Sequence, residues 1–558
     1  MMIIEMRRIN LKRQKEMKKG SFMGNVLILI ASHLLIKILG FIYRLVITNV
    51  EGFGDAGVGY YDAGYKIYSL LLTLSSTGIP SVVSKLVAER LALNDKVGAQ
   101  RIFKISLGFF TALGFILSLG LYFGADLIAN NLLNVPGTVY VMKVLAPAIV
   151  FVAISAVLRG YYSGQQNMKP TSISQTLEQF LNCVLSITFV YACVGKDTYI
   201  MAAAGNVSTT LSVILAFVYM AIYYKNNKIV PEKGQISSEA NKSNKELLKT
   251  ILALSIPITI GSLVSVISSV IDTATVSNCI QVAYQNMGMA KEALENLAMS
   301  KTGILSKIDT LVNFPIAINA AFSTALVPVI AESIAKRDTK TAQKRMAFSI
   351  FASILIILPC AVGFSVLADA ILKMFYPAAS DGALILQLST IPMIFIALSN
   401  TINGGLYGLN LSKVPAISLT IGVVIKTILN IVLISNPDIN IVGAVIGSIA
   451  CQFIAFSICY MALKKKIKLK IDKKNSIVKP VIATTIMGIA VYATYTFFNM
   501  NIGNTLSTLI AIAVGVIVYL ISLLLLKTLS KEDILMIPYG NKLYDLLVKL
   551  HLYQDERV

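Results

Sequence analysis

Residues 24–48 read GNVLILIASHLLIKILGFIYRLVIT. As a helix they rise about 37 Å at 1.5 Å per residue, more than the roughly 30 Å of hydrocarbon in a bilayer. The basic segment before them resembles the start of an export signal. The apolar run, however, is too long for a signal's hydrophobic region and has no small-residue cleavage site, so it is expected to stay as a spanning helix.

Outward from this run the same pattern recurs to the C-terminal region. Apolar windows place fourteen spans, near 24–48, 64–88, 102–124, 139–160, 171–194, 200–224, 250–276, 304–332, 346–369, 384–408, 414–434, 442–463, 480–498 and 505–527. The chain is 56% hydrophobic and 14% charged with a mean hydropathy of +0.74. Soluble domains hold roughly 45–50% and 25%, so the expected solvent is lipid and the expected fold is an all-α polytopic membrane protein.

A net charge of +21 raises the question of nucleic acid. The Lys and Arg residues are confined to short segments between apolar runs and make no continuous basic face, so no nucleic acid is expected. With the N-terminus inside, the inner segments carry 39 of the 49 basic residues, and the outer loops carry four, Lys196, Lys291, Lys301 and Lys373. That asymmetry meets the positive-inside rule for every span and puts both termini in the cytoplasm. Basic clusters such as Lys464, Lys465 and Lys466 then anchor topology.

Six cysteines lie mostly in apolar runs, without C-x-x-C spacing or histidine partners, so neither metal, disulfide nor cofactor is expected. The inter-span loops leave no room for a soluble catalytic domain, and the chain reads as a transporter, not an enzyme.

The chain also repeats itself at an offset of 243–245 residues. Ala99-Gln100-Arg101 matches Ala342-Gln343-Lys344, Ala125-Asp126 matches Ala368-Asp369, and Gly160, Tyr162 and Pro170 match Gly405, Tyr407 and Pro415. Two six-helix bundles are expected, at 24–224 and 250–463, in parallel orientation and joined by a linker at 225–249. Around them lie a basic N-terminus (1–23), a basic loop (464–479), two additional helices (480–527) and a tail (528–558). Paired bundles of this kind rock about a central cavity to alternate its access.

A charge at the bilayer centre costs about 2.5–3.5 kcal/mol on insertion scales, so each one needs a partner or water. His33, Lys37 and Arg44 share one stripe of the first span with Gly40. Lys37 is too central to snorkel and is expected to face a cavity; Arg44 either does the same or reaches the outer headgroups. His33 is either a proton carrier or a buried hydrogen-bonded histidine. Glu178 and Lys426 stand at near-equivalent depths in repeat-mate spans, and either line one cavity or pair locally. Asp272 sits in the outer part of the seventh span. Asp62 with Lys66, and Lys307 with Asp309, read as salt bridges at the outer ends of the second and eighth spans. Prolines 80, 257, 315, 328, 359 and 392 fall inside spans, where a missing N–H bends a helix.

The stretch from Ser32 to Arg44, then Gly52 to Tyr68, Gly78-Ile79-Pro80 and Ser84 to Glu89, resembles the stage V sporulation protein B family. That family belongs to the polysaccharide transporter branch of the multidrug/oligosaccharidyl-lipid/polysaccharide exporter superfamily, alongside the lipid II flippases. The resemblance covers essentially the whole chain, the last two spans included. It implies flipping of an undecaprenyl-diphosphate-linked saccharide, in particular lipid II, for cell-wall or spore-cortex synthesis in the bacterial cytoplasmic membrane. A proton or sodium ion is then the possible coupling ion. It further implies that Lys37, Arg44 and Lys426 are cavity cations for the diphosphate, with His33, Glu178, Asp272 and Asp309 as coupling or ion-pair residues. Lipid II flippases carry arginine where Lys37 stands and arginines in the second and eighth spans; this chain has none deep in the second and Thr310 in the eighth. The alternatives are another polysaccharide-lipid exporter, a cation-coupled multidrug exporter, or a scaffold. A membrane-embedded glycosyltransferase would need a catalytic carboxylate on a sizeable loop, which the sequence lacks.

Overall fold

The computed structural model describes residues 32, 35–231, 242–285, 288–336, 338–469 and 472–530, with 534, 544, 545 and 548 near the C-terminus. His33 lies outside the described residues. Among the described residues there are helices and no strand. They are α1 (35–48), α2 (Gly54–Ser76), α3 (Ile79–Ala92), α4 (Lys96–Leu127), α5 (Thr138–Leu145), α6 (Ala148–Gly164), α7 (Lys169–Ala192), α8 (Thr198–Asn227) and α9 (Asn244–Gln285). Then follow α10 (Lys291–Ala335), α11 (Thr339–Val366), α12 (Ala368–Phe375), α13 (Ala383–Gly408), α14 (Lys413–Ile434), α15 (Val442–Ile467), α16 (Lys479–Ile502) and α17 (Asn504–Leu525).

The expected spans from the second onward overlap helices, and of the first, residues 35–48 are helical. Among the described residues, eleven helical segments are long and apolar enough to cross a membrane. The remaining three expected spans correspond to α1, α7 and α10. Large apolar side chains face outward along these helices, Phe123 at 75% and Ile489 at 67% exposure among them. On a water-soluble surface such patches drive association; in hydrocarbon they are the solvated face. This is a multi-pass all-α membrane protein.

Two spans are broken where the backbone requires it. Between α2 and α3, Gly78 takes φ +84°, a region open to glycine, and Pro80 sits in the first turn of α3, where its missing N–H is not needed. The Thr259 hydroxyl of α9 donates to the Thr77 carbonyl at 2.8 Å and satisfies the break. Pro80 therefore starts a helix instead of bending one, whereas Pro257, Pro359 and Pro392 do lie inside helices. Between α5 and α6 the chain turns at Ala146-Pro147.

The chain packs as two compact units, residues to Asn278 with Ala290–Gly303, and Cys279–Met289 with Ile304 onward. In the first, α7 pairs with α8 and α6 packs on α3 and α4. Two apolar cores fill it, one around Tyr61, Tyr68, Met142 and Met299, the other around Val83, Phe103, Tyr161 and Met220. The start of α10 belongs here because two glycines let it touch α2: a Cβ on Gly59 would run into the Met299 carbonyl, and one on Gly303 into the Asp55 carbonyl. The first part of α9 also packs here, through the Ser277 hydroxyl bond to the Leu133 carbonyl and Ile258 against Gly78. The packing boundary therefore falls within α9, further along than the expected linker at 225–249.

In the second unit α14 pairs with α15, α16 with α17, and α11 packs on α13. Its core includes Met346, Ile402, Leu406 and Leu463. All six cysteines are free, and four of them are buried.

Candidate functional site

In the first unit the charges meet on α1, α2, α6 and α7. Lys37 is exposed on α1. One turn further on, Gly40 lies against α7, where an added Cβ would come 3.6 Å from Gln179 Nε2. Arg44, two turns from Lys37, does not reach for headgroups. Its Nη1 and Nη2 donate to the two oxygens of Asp62 on α2 at 2.7 and 2.5 Å, and its side chain is 17% exposed. The guanidinium also lies over the Tyr61 ring, 5.0 Å from its centroid, and donates to the Tyr43 hydroxyl at 3.3 Å. This fork-to-fork geometry engages both Asp62 oxygens, so the expected Asp62–Lys66 bridge is replaced by a pairing between helices. A guanidinium so matched has its charge compensated and its planar edge occupied.

From this pair the face of α2 continues as tyrosines. Tyr61 and Tyr65 stack at 6.5 Å, Tyr65 and Tyr68 pack at 5.5 Å, and Tyr65 lies within electrostatic reach of Arg44, Asp62 and Glu178. Glu178 of α7 accepts from Arg159 Nη2 of α6 at 2.6 Å, and the same nitrogen donates to the Ser174 hydroxyl at 2.9 Å. Glu178 thus has a partner within the first unit and keeps 29% of its side chain exposed. Arg159 was missed because it stands near a helix end in a basic segment, where a cation looks like a topology anchor; its partner Glu178, nineteen positions on, lies on the next helix and leaves no local periodicity. Asp272 on α9 is half-buried and lies within the same unit.

The other cations lie in the second unit. Lys426 is buried on α14, with its Cγ 3.3 Å from where a Gly447 Cβ would stand and Asn430 one turn on. Lys307, on α10, is buried, donates to the Ala379 carbonyl and lies 5.4 Å from the centroid of the Tyr376 ring. Asp309 is exposed on the same helix. Among the described residues no group of three His, Cys, Asp or Glu side chains is placed to hold a metal ion.

A many-spanned helical protein with charges held inside the membrane by partners on neighbouring helices has the construction of a membrane transporter. The family described as "Polysaccharide biosynthesis protein" matches residues 22–334, and the MatE family matches 274–432. The chain belongs to the polysaccharide biosynthesis protein family. It is 26% identical over 529 residues to stage V sporulation protein B of Bacillus subtilis (strain 168), covering 94% of this chain and 99% of that one. It is 27% identical to lipid II flippase MurJ of the same organism, covering 87% and 91%. The fold matches a solved structure of lipid II flippase MurJ in an inward closed conformation, with a TM-score of 0.68, 17% identity and coverage of 89% and 98%. It also matches an inward-facing multidrug resistance MATE family transporter of the MOP superfamily, with a TM-score of 0.63, 18% identity and coverage of 77% and 96%.

Proposed function

We propose that the chain is a flippase that carries an undecaprenyl-diphosphate-linked saccharide, in particular lipid II, from the inner to the outer leaflet of the bacterial cytoplasmic membrane. Both termini lie in the cytoplasm, the two six-helix repeats alternate access, and a proton or sodium gradient drives the cycle. Relationship over nearly full length to a lipid II flippase and to a sporulation protein supports the substrate class. The observation that carries the reading is the state of the cations on α1. Arg44 is compensated by Asp62, while Lys37, seven residues deeper, is exposed. A diphosphate needs an exposed cation at membrane depth, and an ammonium supplies a mobile point charge. Lys37 is therefore assigned the first contact with the headgroup; Arg44 and Asp62 hold α1 to α2.

The test is complementation of a strain depleted of its lipid II flippase. The wild-type chain and Lys37→Arg should restore growth; Lys37→Ala should not, while inserting in the membrane at the wild-type level. Normal growth on Lys37→Ala removes Lys37 from transport. A second reading, a cation-coupled drug exporter, draws on the MatE match. It requires the wild-type chain to fail in complementation and to confer resistance to cationic dyes.

A further inference from the structure

Three loops of the first unit on the side opposite the basic segments, those after α1, α4 and α7, line with the start of α10 a half-open cavity of about 750 Å³. Its size falls in the roughly 300–1,000 Å³ range of small-molecule sites. The rings around it are fixed in place. Tyr140 and Tyr199 stack at 5.3 Å with 26° between their planes, and Tyr60 meets Tyr199 edge-on at 6.2 Å. The Tyr199 hydroxyl donates to Asp197 Oδ2 at 2.8 Å, and the Tyr60 hydroxyl to Asn296 Oδ1 at 3.2 Å. Gly137 makes the cluster possible: a Cβ there would stand 3.0 Å from both Tyr60 and Tyr199. Tyr140 keeps 54% of its surface open.

The electrostatics choose among ligands. Four carboxylates line the cavity, at positions 126, 197, 292 and 295, against two ammonium groups, at 143 and 196, which leaves a net charge of −2. Lys143 is already paired with Asp126 at 2.8 Å. Burial, with Glu292 nearby, raises the Glu295 carboxyl above its ordinary range, against the pull of Lys291. A phosphate or other anion is repelled here, so this is no second seat for a diphosphate. A wholly apolar ligand would strip the carboxylates of water without replacing their hydrogen bonds. A sugar ring fits both demands, since its C–H face packs on a tyrosine ring while its rim hydroxyls donate to carboxylate and amide oxygens.

We propose that this cavity is a glycan-binding site on the outer face of the membrane, specific for neutral and amine-bearing saccharides, with Tyr140 as its stacking platform and Glu292 and Glu295 as its hydroxyl and ammonium acceptors. The site goes beyond transport and stands whether or not a lipid-linked saccharide is the cargo.

The test is calorimetric titration of the full chain in lipid nanodiscs with three sugars, N,N′-diacetylchitobiose (neutral), its deacetylated form (cationic) and a glucuronate disaccharide (anionic). The neutral and cationic sugars should bind, the cationic one more tightly, and the anionic one at least about tenfold more weakly. Tyr140→Ala should weaken the neutral sugar about tenfold, equivalent to about 1.4 kcal/mol, whereas Tyr140→Phe should bind it as the parent does. Tyr140 is half exposed, and an unchanged melting temperature shows that its alanine variant is folded. Titration of Lys37→Ala separates this site from transport, because the disaccharides should bind it as they bind the parent. Equal affinity for all three sugars, no binding at millimolar concentration, or an unchanged affinity in folded Tyr140→Ala overturns the proposal.

Discussion

Arg44 shows what a membrane does to a charge near the end of a span. Water is close, yet the guanidinium turns inward to Asp62, because a bidentate bond and two tyrosine rings replace hydration at a fixed place between α1 and α2. Removing one partner leaves the other charge buried without compensation, which costs about 3–5 kcal/mol. Asp62→Ala should therefore lower the melting temperature in detergent strongly, and Asp62→Leu combined with Arg44→Leu should recover much of the loss. A melting curve for Asp62→Ala that overlays the parent would remove the pair from the account of stability. The cationic stripe of α1 was legible in the sequence because a charge in an apolar run stands out. Its partner was not, since helical spacing offers Lys66 to Asp62, and only the packing of α1 on α2 brings a residue eighteen positions away into range. Arg159 escaped for a related reason: near a helix end, an inward-turned cation and a headgroup anchor look alike in sequence.

At the scale of elements, apolar run length placed the spans well, because crossing hydrocarbon demands helix whatever the packing. The break at Ala146-Pro147 was less legible, since a run of apolar residues continues through it, and the one at Gly78 was hidden because apolar residues on either side of Ser75-Ser76-Thr77-Gly78 fill one window of span length. Helix contact is set by small residues, and the glycines differ sharply. Gly303→Ala forces a Cβ into the Asp55 backbone and should destabilise the first unit by about 1–3 kcal/mol or more, read as lost thermal stability. Gly120→Ala on α4 meets nothing within 4 Å and should be neutral or slightly stabilising. Equal melting temperatures for the two variants would contradict the α2–α10 contact.

Helix starts carry the repeat. Asp95 caps α4 by accepting from Gly98 N at 2.6 Å, and Asp338 caps α11 by accepting from Thr341 N at 3.0 Å. Gln100 donates to the Ile229 carbonyl after α8, and Gln343 to the Ile467 carbonyl at the end of α15. The side-chain and backbone hydrogen bonds from Thr341 hold the Asp338 carboxyl below its ordinary range. A lowered folded-state value means that this contribution is present above an unfolded carboxylate value of about 3.9 and is lost as pH falls through the lowered one. The hydrogen-exchange protection of the first turn of α11, taken relative to the intrinsic rate at each pH, should fall on that acid side and stay flat above it. Asp338→Asn should reduce this acid-side step; an unchanged step would place its origin elsewhere.

At the scale of the whole molecule, the offset of 243 residues between Asp95 and Asp338 is the one seen in the sequence, and the same bonds recur at both copies. What the repeat could not tell was how the chain divides in packing, because the Gly59 and Gly303 contacts draw the start of α10 into the first unit. Substrate chemistry rests on Lys37 and on kinship with a flippase. The most direct measurement uses proteoliposomes holding an undecaprenyl-diphosphate saccharide with a fluorophore on its headgroup, with an ion gradient imposed and a membrane-impermeant quencher added outside. The wild-type chain should make nearly all of the fluorophore quenchable over time, and Lys37→Ala should leave the inner-leaflet half protected. A quenchable fraction that stays at one half for the wild-type chain under proton and sodium gradients of either direction contradicts the flippase reading.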